Sequence, residues 1–112
     1  MKGTTALAAI ALLMPGLAEA AGTGDPAKGK LLFDKHCMVC HGPQGKGDGP
    51  TGRALIPPAT DFTSQPSRKK SGADLRRVME QSSPGTAMPA WKGPLSDMQL
   101  ADVAAYAETL RK

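Results

Sequence analysis

Cys37-Met38-Val39-Cys40-His41 constrains this chain more than any other stretch, because it holds the only two cysteines in 112 residues. Residues three apart on one helical turn share a face, so both sulfurs can reach one edge of a single flat ligand. His41, four residues after Cys37, can place its imidazole under that ligand. Two cysteines at this spacing with histidine next are the attachment signature of c-type haem, in which thioethers hold two vinyl groups and imidazole binds iron. With both sulfurs so used, no disulfide can form and none is needed. A redox-active Cys-x-x-Cys pair would follow a strand and open a helix. Here a helical pattern precedes the motif and a Gly/Pro-rich loop follows it. A structural zinc site needs four ligands, and the one other histidine, His36, adjoins Cys37.

Haem attachment of this kind requires an extracytoplasmic maturation system, so the chain must be exported. Its first residues meet that condition. Lys2 gives a positive start, an apolar run extends from Thr4 to Leu13, Pro15 and Gly16 break it, and Ala18-Glu19-Ala20 supplies a small-x-small cleavage pattern. A membrane-spanning helix needs about 20 apolar residues, and this run is shorter. Residues 1–20 therefore read as a cleaved signal peptide, with an uncleaved anchor as the alternative. Residues 21–112 then form one small domain. No second hydrophobic span follows, which predicts a periplasmic chain without stable membrane insertion.

Aromatic residues make up 4% of the sequence, represented by Phe33, Phe62, Trp91 and Tyr106. That is a thin supply for a core of this size, and a buried porphyrin would add the missing apolar surface. The net charge of +4 is the same without the signal segment, since Lys2 and Glu19 leave together. A moderately basic surface favours redox partner proteins with acidic docking surfaces. No aromatic-interleaved basic stripe points to nucleic acid.

The pattern along the domain predicts an all-α fold. Asp25-Pro26 opens a first helix, with Gly29, Leu32, Phe33 and His36 on one face. Gly29 inside a helix points to close approach by another element. His36 reads as an ordinary packing or surface histidine. The stretch from Gly42 to Pro58 is too rich in glycine and proline for a regular element. Its Gly47-x-Gly49-x-x-Gly52 lacks a preceding strand, so it is not read as a dinucleotide loop. The loop should wrap one side of the haem, with a carbonyl at or near Pro50 orienting His41 through its second ring nitrogen. Pro57 to Thr63 reads as extended, with Phe62 in the core or at the haem edge, and Arg68-Lys69-Lys70 as a solvated charge run. Ser71 with Asp74 caps a second helix with Leu75, Val78 and Met79 inward and Arg76, Arg77 and Glu80 outward. Ser82-Ser83-Pro84-Gly85 ends it. Ser96 with Gln99 caps a last helix carrying Leu100, Val103, Ala104, Tyr106, Ala107 and Leu110. That helix should cross the first at Gly29, with Phe33 meeting Tyr106 or Leu110.

Pro84-Gly85-Thr86-Ala87-Met88-Pro89 lies between two helices, and periodicity gives Met88 no core role. A thioether there makes sense if it faces iron across the ring from His41, with Pro89 keeping the segment out of a helix. The alternative is a partly buried loop methionine. Met79 reads as core, and Met38 and Met98 compete poorly. The Trp91 N–H has a haem propionate as one possible acceptor.

Taken together, the early Cys37-x-x-Cys40-His41, the Gly29-x-x-x-Phe33 before it, and Pro84-Gly85-Thr86-x-Met88-Pro89 ahead of a helix with Tyr106 resemble class I c-type cytochromes of bacterial, monohaem type. The resemblance implies a class I fold of three main helices and Gly/Pro-rich loops around one haem c. It implies covalent attachment at Cys37 and Cys40, axial iron ligation by His41 and Met88, and the Pro50 carbonyl as partner to His41. It covers nearly the whole of 21–112, which then reads as a cytochrome c domain. Met/His ligation saturates the iron and raises its potential. The expected function is a periplasmic one-electron carrier between a donor dehydrogenase or membrane complex and a terminal oxidase or reductase, rather than an enzyme. Lys35, Lys46 and Lys92 are candidate docking residues. The alternative is a small haem subunit of a periplasmic oxidoreductase complex acting on sulfur compounds or nitrogen oxides. Gas sensing or peroxidase activity, with Met88 off the iron, is a third possibility.

Overall fold

Helix α1, Pro26–His36, starts where Asp25 turns from extended backbone and its carboxylate accepts the Ala27 N–H at 2.9 Å. The Asp25 N–H is donated in turn to Oδ1 of Asp102, 77 residues along the chain, at 2.7 Å. Those two bonds fix the start of the first helix to the middle of the last. The computed structural model describes Gly3 and residues 24–112. Gly3 apart, the segment read as a signal peptide lies outside the described residues.

A one-turn helix α2, Met38–His41, follows α1 directly. A 3-10 turn spans Gly52–Ala54, α3 spans Gln65–Arg68, α4 spans Gly72–Gln81 and α5 spans Asp97–Leu110. No strand forms among the described residues, and one isolated bridge pairs Lys92 with Leu95. Both expected capping boxes are present. Ser71 and Asp74 satisfy each other's backbone N–H groups at the start of α4, as Ser96 and Gln99 do at the start of α5. Ser71 holds the Asp74 carboxyl below its ordinary pKa, through the backbone hydrogen bond first and the hydroxyl second.

The α1–α5 crossing organises the core. A Cβ added at Gly29 would stand 1.8 Å from the Asp102 carbonyl oxygen and 3.0 Å from Tyr106 Cβ, so only glycine lets the two backbones approach this closely. One turn on, the Phe33 ring tilts at 60° against Tyr106, with centroids 5.2 Å apart. Phe33, Leu100 and Val103 are almost fully enclosed, and Phe62, Met79, Leu95 and Ala107 complete the buried cluster. Full burial of a side chain the size of Phe33 or Leu100 contributes about 1.5–3 kcal/mol. Gly29→Ala pits a methyl group against backbone rather than against a flexible side chain. It should cost at least the ~1–3 kcal/mol typical of overpacking, read as a lowered thermal midpoint with unchanged haem spectra.

One detail departs from the sequence reading. Arg76 and Glu80 do not simply face solvent. They pair at 2.8 Å, both half-buried, and Arg76 also donates to the Asp97 carbonyl at the start of α5. Arg68, Lys69 and Lys70 are all exposed, as expected of a solvated charge run, and a one-turn helix precedes Lys69. Ser64 caps α3 by accepting from the Ser67 N–H, Pro66 sits in the first turn, and Arg68 ends the helix. A single turn of helix leaves no periodic signal, and Pro66 disguises it, although proline fits a first turn well.

Candidate functional site

The Cys37–His41 segment is held in one tight turn. The Cys40 and His41 N–H groups both donate to the Cys37 carbonyl, at 3.2 and 2.9 Å, and the Cys37 N–H donates to Phe33 at the end of α1. Cys37 and Cys40 are not joined in a disulfide. Burial, with the neighbouring Cys40 a lesser cause, pushes the Cys37 thiol up to about 11. A redox-active pair needs the opposite, a thiol acidic enough to ionise. Among the described residues no group of three or more His, Cys, Asp or Glu could hold a metal ion.

His41 stacks on Phe62, with ring centroids 4.6 Å apart and 17° between planes. Phe62 is placed by its N–H, which donates to the Gly45 carbonyl at 2.7 Å. Gly45 has φ +72, and a Cβ there would meet Phe62 Cδ2 at 2.7 Å, so this turn requires glycine twice over. The His41 Nδ1 lies 3.2 Å from the Thr60 carbonyl oxygen. A carbonyl can only accept, so Nδ1 carries the proton and Nε2 keeps its lone pair. Burial lowers the pKa of the ring more than the Thr60 bond raises it, which favours the neutral imidazole a metal requires. The orienting carbonyl is therefore Thr60, not one at or near Pro50. The Gly/Pro-rich loop carries the chain away and the 59–63 segment returns against the motif. Spacing could not show that return.

Cys37 and His41 open onto one shared cavity. Its walls are mostly apolar, with Phe33, Leu75, Val78, Leu95, Leu100 and Val103 prominent among them. Met88 lines the same cavity, as do Phe62, Met79 and Trp91. Cys40 is half-buried beside it on α2 and is not among the lining residues. Trp91 and His36 pack ring to ring at 5.1 Å, so His36 is a packing residue as expected.

The Met88 loop is tied at two points. The Trp91 backbone N–H donates to the Met79 carbonyl at 2.8 Å, and the Ser82 hydroxyl donates to the Met88 carbonyl at 2.6 Å. Ser82 has φ +72, a left-handed conformation that costs a non-glycine residue energy. Sequence reading took Ser82 for a helix terminator alone. It also positions the methionine, and a serine where glycine would be easier was the available signal.

Neutral imidazole and thioether on the walls of one apolar cavity make a donor set suited to haem iron. A sequence model of the family described as Cytochrome c matches residues 26–111. The chain belongs to the cytochrome c family. As a class I monohaem cytochrome c, it carries haem c as its covalently attached, iron-containing cofactor, and the family's work is electron transfer. Cytochrome c6 of Chlorolobion braunii is 34% identical over 73% of this chain and 86% of its own length. Cytochrome c-554(547) of Halothiobacillus neapolitanus is 31% identical over 79% of this chain and 99% of its own. The chain spans about a third of the length of two larger relatives it matches. These are the cbb3-type cytochrome c oxidase subunits CcoP of Azospirillum (32% identical over 82% of this chain and 31% of the relative) and FixP of Bradyrhizobium diazoefficiens (35% over 77% and 28%). Thiosulfate dehydrogenase of Stutzerimonas stutzeri is 34% identical over 82% of this chain and 29% of its own. Among solved structures, the Kuenenia stuttgartiensis reducing HAO-like protein complex Kustc0457/Kustc0458 aligns with TM-score 0.66 at 26% identity. It covers 77% of this chain and 42% of that one. The cytochrome c fold here is all-α, and no described helix is long and apolar enough to cross a membrane.

Proposed function

We propose that this cytochrome c is a periplasmic one-electron carrier in which Cys37 and Cys40 hold the haem and His41 and Met88 bind its iron from opposite faces. The observation that carries the reading is the placement of Cys37, His41 and Met88 on one apolar cavity, with the His41 Nε2 lone pair left free by the bond to Thr60. Haem supplies a one-electron couple, and every other task falls to the chain. Thr60 fixes the imidazole tautomer, and Phe62 fixes the ring's plane. Ser82 holds the backbone that presents Met88. The apolar walls keep water from the metal, which with methionine ligation favours the reduced form. With His41 and Met88 both holding the iron, no coordination site would be left for a substrate.

Lys35, Lys46 and Lys92 are exposed, and they are candidates for docking acidic partners such as a donor dehydrogenase and a terminal oxidase or reductase. The basic charge supports fast encounter that weakens as salt rises. A second reading, a haem subunit within an oxidoreductase complex, is favoured by the similarity to thiosulfate dehydrogenase and to a complex-borne structural neighbour. Gel filtration of native periplasm separates the two. Elution at the size of the isolated chain supports the carrier, and co-elution with a catalytic chain overturns it in favour of the subunit.

A further inference from the structure

Three large aromatic side chains line the haem cavity, and two of them, Phe33 and Phe62, are buried in the core. The third, Trp91, is half-buried, and its ring packs against His36 with centroids 5.1 Å apart and 53° between planes. His36 is also half-buried, in the last turn of α1, and does not line the cavity. The two rings therefore lie in series from the cavity wall outward. Backbone bonds fix the inner one. The Trp91 backbone N–H donates to Met79, its carbonyl accepts the Leu95 N–H at 2.9 Å, and the Lys92 N–H donates to Glu80 at 3.3 Å.

Lys35 precedes His36 and Lys92 follows Trp91, so the ring contact brings two exposed cations to one region of the surface. Among the described residues neither lysine forms an ion pair. The carboxylates nearest by connection are engaged elsewhere, Asp34 with Lys30 at 2.7 Å and Glu80 with Arg76 at 2.8 Å. Lys46 is placed differently. It stands beside Asp61 and, after the two bonds from Thr63, helps hold that carboxyl below its ordinary value. Electron transfer slows steeply with the thickness of protein between two centres, so a partner gains most by docking where the cavity wall is thinnest. An aromatic centre with charge at its rim is also how protein interfaces are composed. We propose that electrons reach the haem past His36 and Trp91, and that an acidic redox protein docks over these rings on Lys35 and Lys92, with Lys46 outside the contact.

This port presupposes the haem carrier proposed above, and the test separates the two. Ferric holo-protein is mixed by stopped flow with a fully reduced flavodoxin, an acidic one-electron donor, as the probe. The flavin loses one electron and ferric iron becomes ferrous, with no bond made or broken. At low ionic strength Lys35→Glu with Lys92→Glu should cut the second-order rate about tenfold, at the lower end of what electrostatic steering supplies. Lys46→Glu should cut it far less, and both differences should shrink as salt rises. At saturating donor the first-order step should slow in His36→Ala, and more in Trp91→Ala than in Trp91→Phe, each judged against its own measured potential. Should Trp91→Ala fail to fold, His36→Ala and Trp91→Phe still decide. A wild-type rate in the double lysine variant would overturn the port. So would an equal loss in Lys46→Glu, or an unchanged saturated rate in His36→Ala. Absence of thioether haem from the wild-type protein would sink the proposed function itself.

Discussion

Met88→Ala should abolish the far-red absorption band of ferric iron bound to methionine sulfur while the haem stays covalently attached. The midpoint potential should fall with it, by a substantial part of the ~0.8 V over which axial ligands set haem potentials. The physical reason is that thioether sulfur favours ferrous over ferric iron, and water or no ligand does not. The substitution suits the question because the loop is held through backbone groups. Ser82 binds the Met88 carbonyl and the Trp91 N–H binds Met79, and alanine disturbs neither. Carbon monoxide should then bind the ferrous protein readily at the vacated position. Survival of the far-red band in Met88→Ala would remove Met88 from the iron and reopen the sensing and peroxidase readings.

Cys37→Ala with Cys40→Ala should cost the fold as well as the cofactor. Phe33, Leu95, Leu100 and Val103 belong to the buried cluster and also line the cavity, so the ring and the core share side chains. Burial of each is worth about 1.5–3 kcal/mol, and four of them together compare with the ~5–15 kcal/mol that holds a whole domain. The double variant should lack pyridine-haemochrome signal after denaturation and show reduced helical circular dichroism with no cooperative melt. A sharp melt near the wild-type temperature would mean that the helices stand without the haem, and the argument from scarce aromatics would be wrong.

How much was legible follows from the range of each signal. The capping boxes at Ser71 and Ser96, the Asp25-Pro26 start and the Gly29–Phe33 face are local patterns, and all appear where spacing puts them. The α1–α5 crossing was legible because glycine in a helix has few explanations other than close approach. The motif and Met88 stand out by residue type, and the fold brings Cys37, His41 and Met88 to one cavity. What escaped depends on chain return. Thr60 reaches His41 across 19 residues and Arg111 reaches Ser67 across 44. Neither pairing leaves a mark in periodicity or composition. Arg111 in particular reads as one more basic residue at a helix end.

The bond between Asp25 and Asp102 bears on the order in which this protein can be made. On the proposed export route, N-terminal end first, Cys37 to His41 would emerge well before Leu100, Val103 and Arg111. Until those last residues follow, the pocket lacks one wall and α1 lacks the neighbour that its Gly29 face was shaped for. On that route the two thiols would be offered to the attachment machinery on an open chain, and the final helix would shut the door behind the cofactor.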